Sequence, residues 1–203
     1  IYMYQQGANK PFEREAKKVW KYFEKCLKDD IKPFKYRHRA LAWSCGSTYY
    51  DNSTNWLYQC WGIMTVINMD SLTGHNIVDT ENRDEMMSDL ADLHARTPMR
   101  THTVGGNRHI LMMFETAAKF NCDMIVMYDD IGYKGMAGCQ GLLEEEFRKH
   151  PEFHIMWMPH ALMDCRTVPT AEARKVVNDY MTTVLHEEPV DPSLVDFDDS
   201  EGW

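Results

Sequence analysis

The segment that most constrains this chain is Cys122-Asp123-Met124-Ile125-Val126-Met127-Tyr128. It is a near-continuous apolar run of strand length, and a strand of that kind needs a cover on both faces. Helical apolar spacing precedes it at 107–120, through Ile110, Leu111, Phe114, Ala117 and Ala118, and a second helix is expected at 136–149. Three more strands are expected at Ala40–Gly46, Ile63–Met69 and Phe153–Met158. Helical patterns at 53–61 (Trp56, Leu57 and Cys60 on one side, Asn52 or Ser53 as cap), at 81–95 (Met86, Leu90, Leu93) and from a Thr170 cap to about Leu185 fill the intervals. Strands alternating with helices imply an α/β fold: a Rossmann-like, flavodoxin-like open parallel sheet of about four strands, with right-handed crossovers and helices on both faces.

This lobe is expected to span 40–186. Before it, 1–39 forms a linker and an amphipathic helix over 12–28, with Phe12, Ala16, Val19, Trp20, Phe23 and Leu27 along one stripe and Lys32-Pro33 ending it. After it, 187–203 reads as an acidic extended tail with Pro189 and Pro192, whose Phe197 and Trp203 are positioned to anchor on a neighbouring subunit. Charge is unevenly placed. Residues 1–39 balance at +6 and 187–203 at −7 within a chain of net charge −9. The front lysines interleave with an apolar stripe and the whole chain repels phosphate backbones, so nucleic acid is not an expected partner. No apolar run reaches the roughly 18 residues of a membrane span, and residues 1–30 lack a signal peptide's apolar centre, so a cytoplasmic location is expected.

The six cysteines stand singly at 26, 45, 60, 122, 139 and 165, which excludes CxxC redox and zinc-ribbon patterns. Most read as reduced core thiols, notably Cys26 and Cys60. HExxH, Walker and GxSxG sequences are absent. In an open parallel sheet, ligands bind beyond the carboxyl ends of the strands, which selects the loops there. Ser44-Cys45-Gly46-Ser47-Thr48-Tyr49-Tyr50-Asp51-Asn52 is rich in hydroxyls and leads into a helix; it can bind a carbonyl or phosphate oxygen, or be an ordinary polar loop. Asp129-Asp130-Ile131-Gly132-Tyr133-Lys134-Gly135-Met136-Ala137-Gly138-Cys139 is richer still. Gly132, Gly135 and Gly138 allow close backbone approach, while two acids, a phenol, an ammonium and a thiol project from one loop. Asp129 and Asp130 read as a metal or base pair, or as a turn acid. Cys139, near a helix start, reads as an activated thiolate or as a small packing residue. Gly105-Gly106-Asn107-Arg108-His109 is a weaker anion-loop candidate, with His109 expected in a capping or solvent role.

Four stretches carry a resemblance: Ala42-Trp43-Ser44-Cys45-Gly46; Asp123–Tyr128 leading into Ile131-Gly132-Tyr133-Lys134; the next helix with Gln140; and Met163-Asp164-Cys165-Arg166 before Thr170-Ala171-Glu172-Ala173-Arg174. Together they resemble the carboxy-terminal half of subunits of the 2-hydroxyacyl-CoA dehydratase and benzoyl-CoA reductase family. The resemblance implies a second lobe, from upstream sequence or another polypeptide, in a multi-subunit, oxygen-sensitive complex. It also implies a 4Fe-4S cluster between lobes, an ATP-hydrolysing activator protein as electron donor, and dehydration (a lyase reaction) or reduction of an acyl-CoA substrate by radical chemistry. On that basis Tyr133, Ser47 and Lys134 are the catalytic candidates. Ser44, Cys45, Gly46, Tyr49, Gly132 and Gly135 are the substrate-binding candidates, and Cys139 is the metal candidate. The family's "G-C-K" cluster position is here Gly132-Tyr133-Lys134, so a phenol replaces a thiol. That change gives the alternative expectation of a non-catalytic scaffold subunit of the same fold.

Overall fold

The computed structural model describes residues 10–31, 35–44, 52–72, 78–95, 107–130, 132, 134–161 and 166–197. The chain divides into two units, Ile1–Lys35 and Tyr36–Trp203. In the first, helix α1 (Lys10–Lys28) realises the amphipathic pattern. Its stripe is open, with Trp20 66% and Leu27 84% exposed. Intrahelical pairs hold the polar side: Glu13 with Lys17, Lys18 with Glu15 at 2.9 Å, and the Trp20 indole donating to Glu24 at 2.8 Å. The helix ends through Asp30 at φ 48°, with Ile31 N–H donating to Cys26 O. The stop therefore comes before Pro33, by a left-handed residue.

The second unit contains β1 (His38–Trp43), α2 (Ser53–Trp61), β2 (Ile63–Asn68), α3 (Arg83–Ala95), α4 (Asn107–Lys119), β3 (Met124–Asp130), α5 (Lys134–Phe147), β4 (His154–His160) and α6 (Thr170–Asp179). The strands form one sheet, parallel throughout, in the order β2-β1-β3-β4. This is the expected α/β architecture. Alternation along the central strands sorts two cores. Ala40, Ala42, Val126 and Tyr128 pack with Trp56, Leu57, Cys60 and Trp61 of α2 and with Ala173 and Val177 of α6. Leu41, Trp43, Ile125 and Met127 pack with Ile110, Met113, Phe114 and Ala117 of α4 and Leu143 of α5. The crossover β1-α2-β2 thus runs on one face and β3-α5-β4 on the other, which is what a single crossover hand demands when the chain winds outward in both directions.

Several local expectations are corrected. Asn52 occupies the N-cap position of α2 but makes no side-chain cap bond; its Oδ1 accepts instead from Asn55 at 2.6 Å, and Ser53 is buried inside the helix. Pro169, not Thr170, is the N-cap of α6, and that helix passes into a π-turn at Tyr180–Val184. In α3, Met86, Leu90 and Leu93 are only half-buried. β3 runs on through Asp129 and Asp130, and β4 through His160. The C-cap of α2, Gly62, sits at φ 73°, where a Cβ would lie within 3.3–3.4 Å of Arg37 and Val190.

The largest correction concerns the tail. The lobe begins at Tyr36, because Arg37 and His38 donate their N–H groups to Gly62 O. It also includes the acidic segment, which folds back as a strap to at least Phe197. Leu194 and Val195 pack on the α2–α6 core. Val190 N–H donates to Cys60 O at 2.6 Å, the Trp56 indole to Leu194 O at 2.8 Å, Asn178 to Val195 O at 3.1 Å, and the Arg174 guanidinium to Phe197 O. Arg174 also lies 5.1 Å over the Trp56 ring and 5.7 Å over Phe197. Trp203 lies outside the described residues. Replacing Trp56→Phe removes the indole donor and strands a strap carbonyl; the expected cost is about 1–2 kcal/mol, read as a lower urea midpoint, with faster amide exchange in 190–197.

Candidate functional site

β1 and β3 are neighbours, Trp43 pairing with Met127, yet the chain leaves β1 toward β2 before returning to β3. This reversal is the topological switch point, the place beyond the carboxyl ends of the strands where open α/β sheets form their ligand crevice. Helices that follow parallel strands run back along them, so α2, α4, α5 and α6 all begin at this edge and turn their N-terminal dipole ends toward it.

Ser44 closes β1. It is 5% exposed and adopts φ 72°, a left-handed conformation that a residue with a Cβ rarely holds. Beside it, fully buried Trp43 donates its indole N–H to His109 Nε2 at 2.9 Å, the rings lying 5.0 Å apart. Indole only donates, so Nε2 carries the lone pair and His109 is a neutral ring protonated on Nδ1. Its place in the first turn of α4 disfavours a positive charge in the same way. His109 is thus a core residue at the crevice, which overturns its expected capping or solvent role. Its i, i+4, i+8 spacing with Met113 and Ala117 was the available signal.

At the β3 exit, alternation gives Asp129 the face of Ile125 and Met127 and Asp130 the opposite one. Asp130 Oδ1 accepts from Gly132 N–H at 2.9 Å, so this acid is a turn residue. A Cβ on Gly132 would make ordinary contact, 3.4 Å from Asp130 Oδ1. Helix α5 begins at Lys134, two residues before the expected 136, so Gly135 joins Gly138 and Cys139 within it. Cys139 is beyond the first turn, where the dipole effect has faded, so a dipole-activated thiolate is not expected of it. The side chains of Lys134 and Cys139 lie outside the description, as do residues Cys45, Gly46, Ser47, Tyr49, Tyr133 and Cys165. Of the sequence candidates, Ser44 and Gly132 are described at the crevice and Gly135 just inside α5. At the β4 exit, buried His160 meets Tyr128 edge-on at 5.5 Å.

Two of the described thiols, Cys60 and Cys122, are buried core residues. Burial pushes Cys60 up to about 11, assisted by the Asp191 charge and opposed by Arg174. Cys122 is likewise pushed up to about 11 by burial, against the pull of Arg39. Both are core thiols at the amino edge of the sheet, Cys60 near the end of α2 and Cys122 just before β3, opposite the switch point. Among the described residues no group of three or more His, Cys, Asp or Glu side chains is placed to hold a metal ion. No helix among them is long and apolar enough to cross a membrane.

The geometry defines the chain's class as an open, doubly wound α/β lobe with its switch point between β1 and β3. Compared with known proteins, the chain matches no family model, no curated protein and no solved structure.

Two outcomes are expected. Nitrogen-15 spectra of the imidazoles should show His109 protonated on Nδ1 alone, and a second proton on Nε2 would contradict the Trp43 bond. In alkylation at pH 8, Cys60 and Cys122 should stay unmodified in the native protein and react fully once denaturant is added; native labelling there would show that these thiols are not sealed.

Proposed function

We propose that this chain is the carboxy-terminal lobe, or a one-lobe subunit, of a multi-subunit complex acting on a CoA thioester, of the 2-hydroxyacyl-CoA dehydratase and benzoyl-CoA reductase type. The observation that supports the reading is the pairing of β1 with β3, since it brings Ser44 and Asp130, after which two of the four resembling stretches continue, to adjacent strand ends. In this reading Ser44 and Ser47 donate hydrogen bonds to the thioester oxygen, and Tyr133 supplies a proton, with Lys134 beside it. Backbone at Cys45, Gly46, Gly132 and Gly135 and the phenol of Tyr49 shape the pocket. Dipole ends at the crevice favour an acyl oxygen that gains negative charge. The other lobe comes from sequence upstream or from a partner subunit, and an ATP-dependent activator is the electron source.

A 4Fe-4S cluster belongs to this proposal only through the resemblance, with Cys139 as the thiol assigned to it. Tyr133 stands in the sequence where the family has its cluster cysteine. That substitution supports the second reading, a scaffold subunit of the same fold that holds no cluster.

Anaerobic purification of the native complex, with iron analysis and electron paramagnetic resonance, separates the two. The catalytic reading expects cluster iron that falls to background in Cys139→Ser together with turnover of an acyl-CoA. Iron-free complex with unchanged assembly leaves the scaffold. Iron that is indifferent to Cys139→Ser removes this chain from the cluster's ligand set.

A further inference from the structure

At the amino edge of the sheet, opposite the crevice, His38 is 7% exposed and lies between two acids. Its Nδ1 is 2.7 Å from Asp123 Oδ2 and its Nε2 is 2.9 Å from Glu187 Oε1. Ionised carboxylates only accept, so both contacts are hydrogen bonds only when both ring nitrogens carry protons. A neutral ring would turn a lone pair toward one carboxylate oxygen at under 3 Å. The remaining charged groups around the ring are few. Arg37, just before β1, reaches Glu187 Oε2 at 3.5 Å, and His154, opening β4, presents its ring edge-on at 5.7 Å.

The two acids are held unequally. Asp123 is fixed by Arg39 N–H, which donates to Oδ1 at 2.6 Å, and by main-chain bonds to Arg39 and His154 on either side. Glu187 belongs to the strap and follows His186, which adopts φ 56°. The Glu187 main chain is held by its own N–H donating to Met181 O at 3.0 Å and by Arg37 donating to Glu188 O, while its carboxylate meets only His38 and Arg37 among the contacts above. A residue with a Cβ adopts the left-handed turn of His186 only at a cost, so the strap enters its docked path under strain. When the ring has one proton, the bond to Asp123 is the one that persists.

We propose that the strap is a latch closed by the His38 imidazolium: loss of one ring proton releases Glu187 and loosens residues 186–197 from α2 and α6. Release relaxes His186 and opens the indole of Trp56 and the carbonyl of Cys60, both of which the strap satisfies when docked. The sign follows from the pairing: the latch is closed while both ring nitrogens carry protons and open once one of them is lost.

Hydrogen exchange of the full chain, corrected for intrinsic rates, tests this between about pH 6 and about pH 9. Protection of the 188–197 amides is expected to fall at least about tenfold across that range, the worth of one charge-assisted bond, while β3 amides hold constant. In Glu187→Gln the introduced amide N–H donates to an unprotonated Nε2, so strap protection is expected to stay flat. In His38→Gln it is expected to be low at every pH. A wild-type strap whose protection does not change with pH overturns the proposal, and so does a Glu187→Gln variant that keeps the wild-type dependence. Should His38→Gln not fold, Glu187→Gln alone decides.

Discussion

The pairing of β1 with β3, running from Ala40 opposite Met124 to Trp43 opposite Met127, is the constraint on which the rest of the lobe depends. Both strands are buried on both faces, so their alternating side chains dictate which helices lie where. Ala40, Ala42 and Val126 require α2 and α6; Leu41, Trp43 and Ile125 require α4 and α5. A slip of one residue would turn each set to the wrong layer. The same pairing brings Ser44 and Asp130 to adjacent strand ends, so core and crevice share a single cause.

The two ends of the sheet carry different chemistry. At the carboxyl edge the described groups include an imidazole fixed by an indole, a hydroxyl on a strained residue, and an acid closing its own turn. At the amino edge an ion cluster joins β1, the start of β3 and the strap. Beside it the buried thiols serve as apolar filling, with Cys60 under the strap and Cys122 beneath α4.

The layers were readable from the sequence because apolar runs and helical spacing report burial directly: Met124–Tyr128, Ile63–Asn68 and the stripe of α4 are self-evident strands and helix. Helix starts were less so. Lys134 begins α5 two residues before the expected 136, which carries Gly135 into regular structure. Pro169 and Asn52 take cap positions through backbone angles alone, without the side-chain bonds that a sequence pattern implies. The candidate site was half legible. The loops after β1 and β3 follow from the parallel order, but His109 needed its helical phase to be followed back to Met113, and no local signal joins His38 to partners 85 and 149 residues away. Composition made the final segment look like a free acidic tail, because its attachment uses groups that every residue possesses.

That last property has an evolutionary side. Trp56, Asn178 and Arg174 grip the strap by the carbonyl oxygens of Leu194, Val195 and Phe197. Oxygens of the main chain are indifferent to residue type, so these three contacts fix the path of the stretch without fixing which residues supply the oxygens. The selective burden falls instead on the three donors, which lie 15 or more positions upstream in the chain.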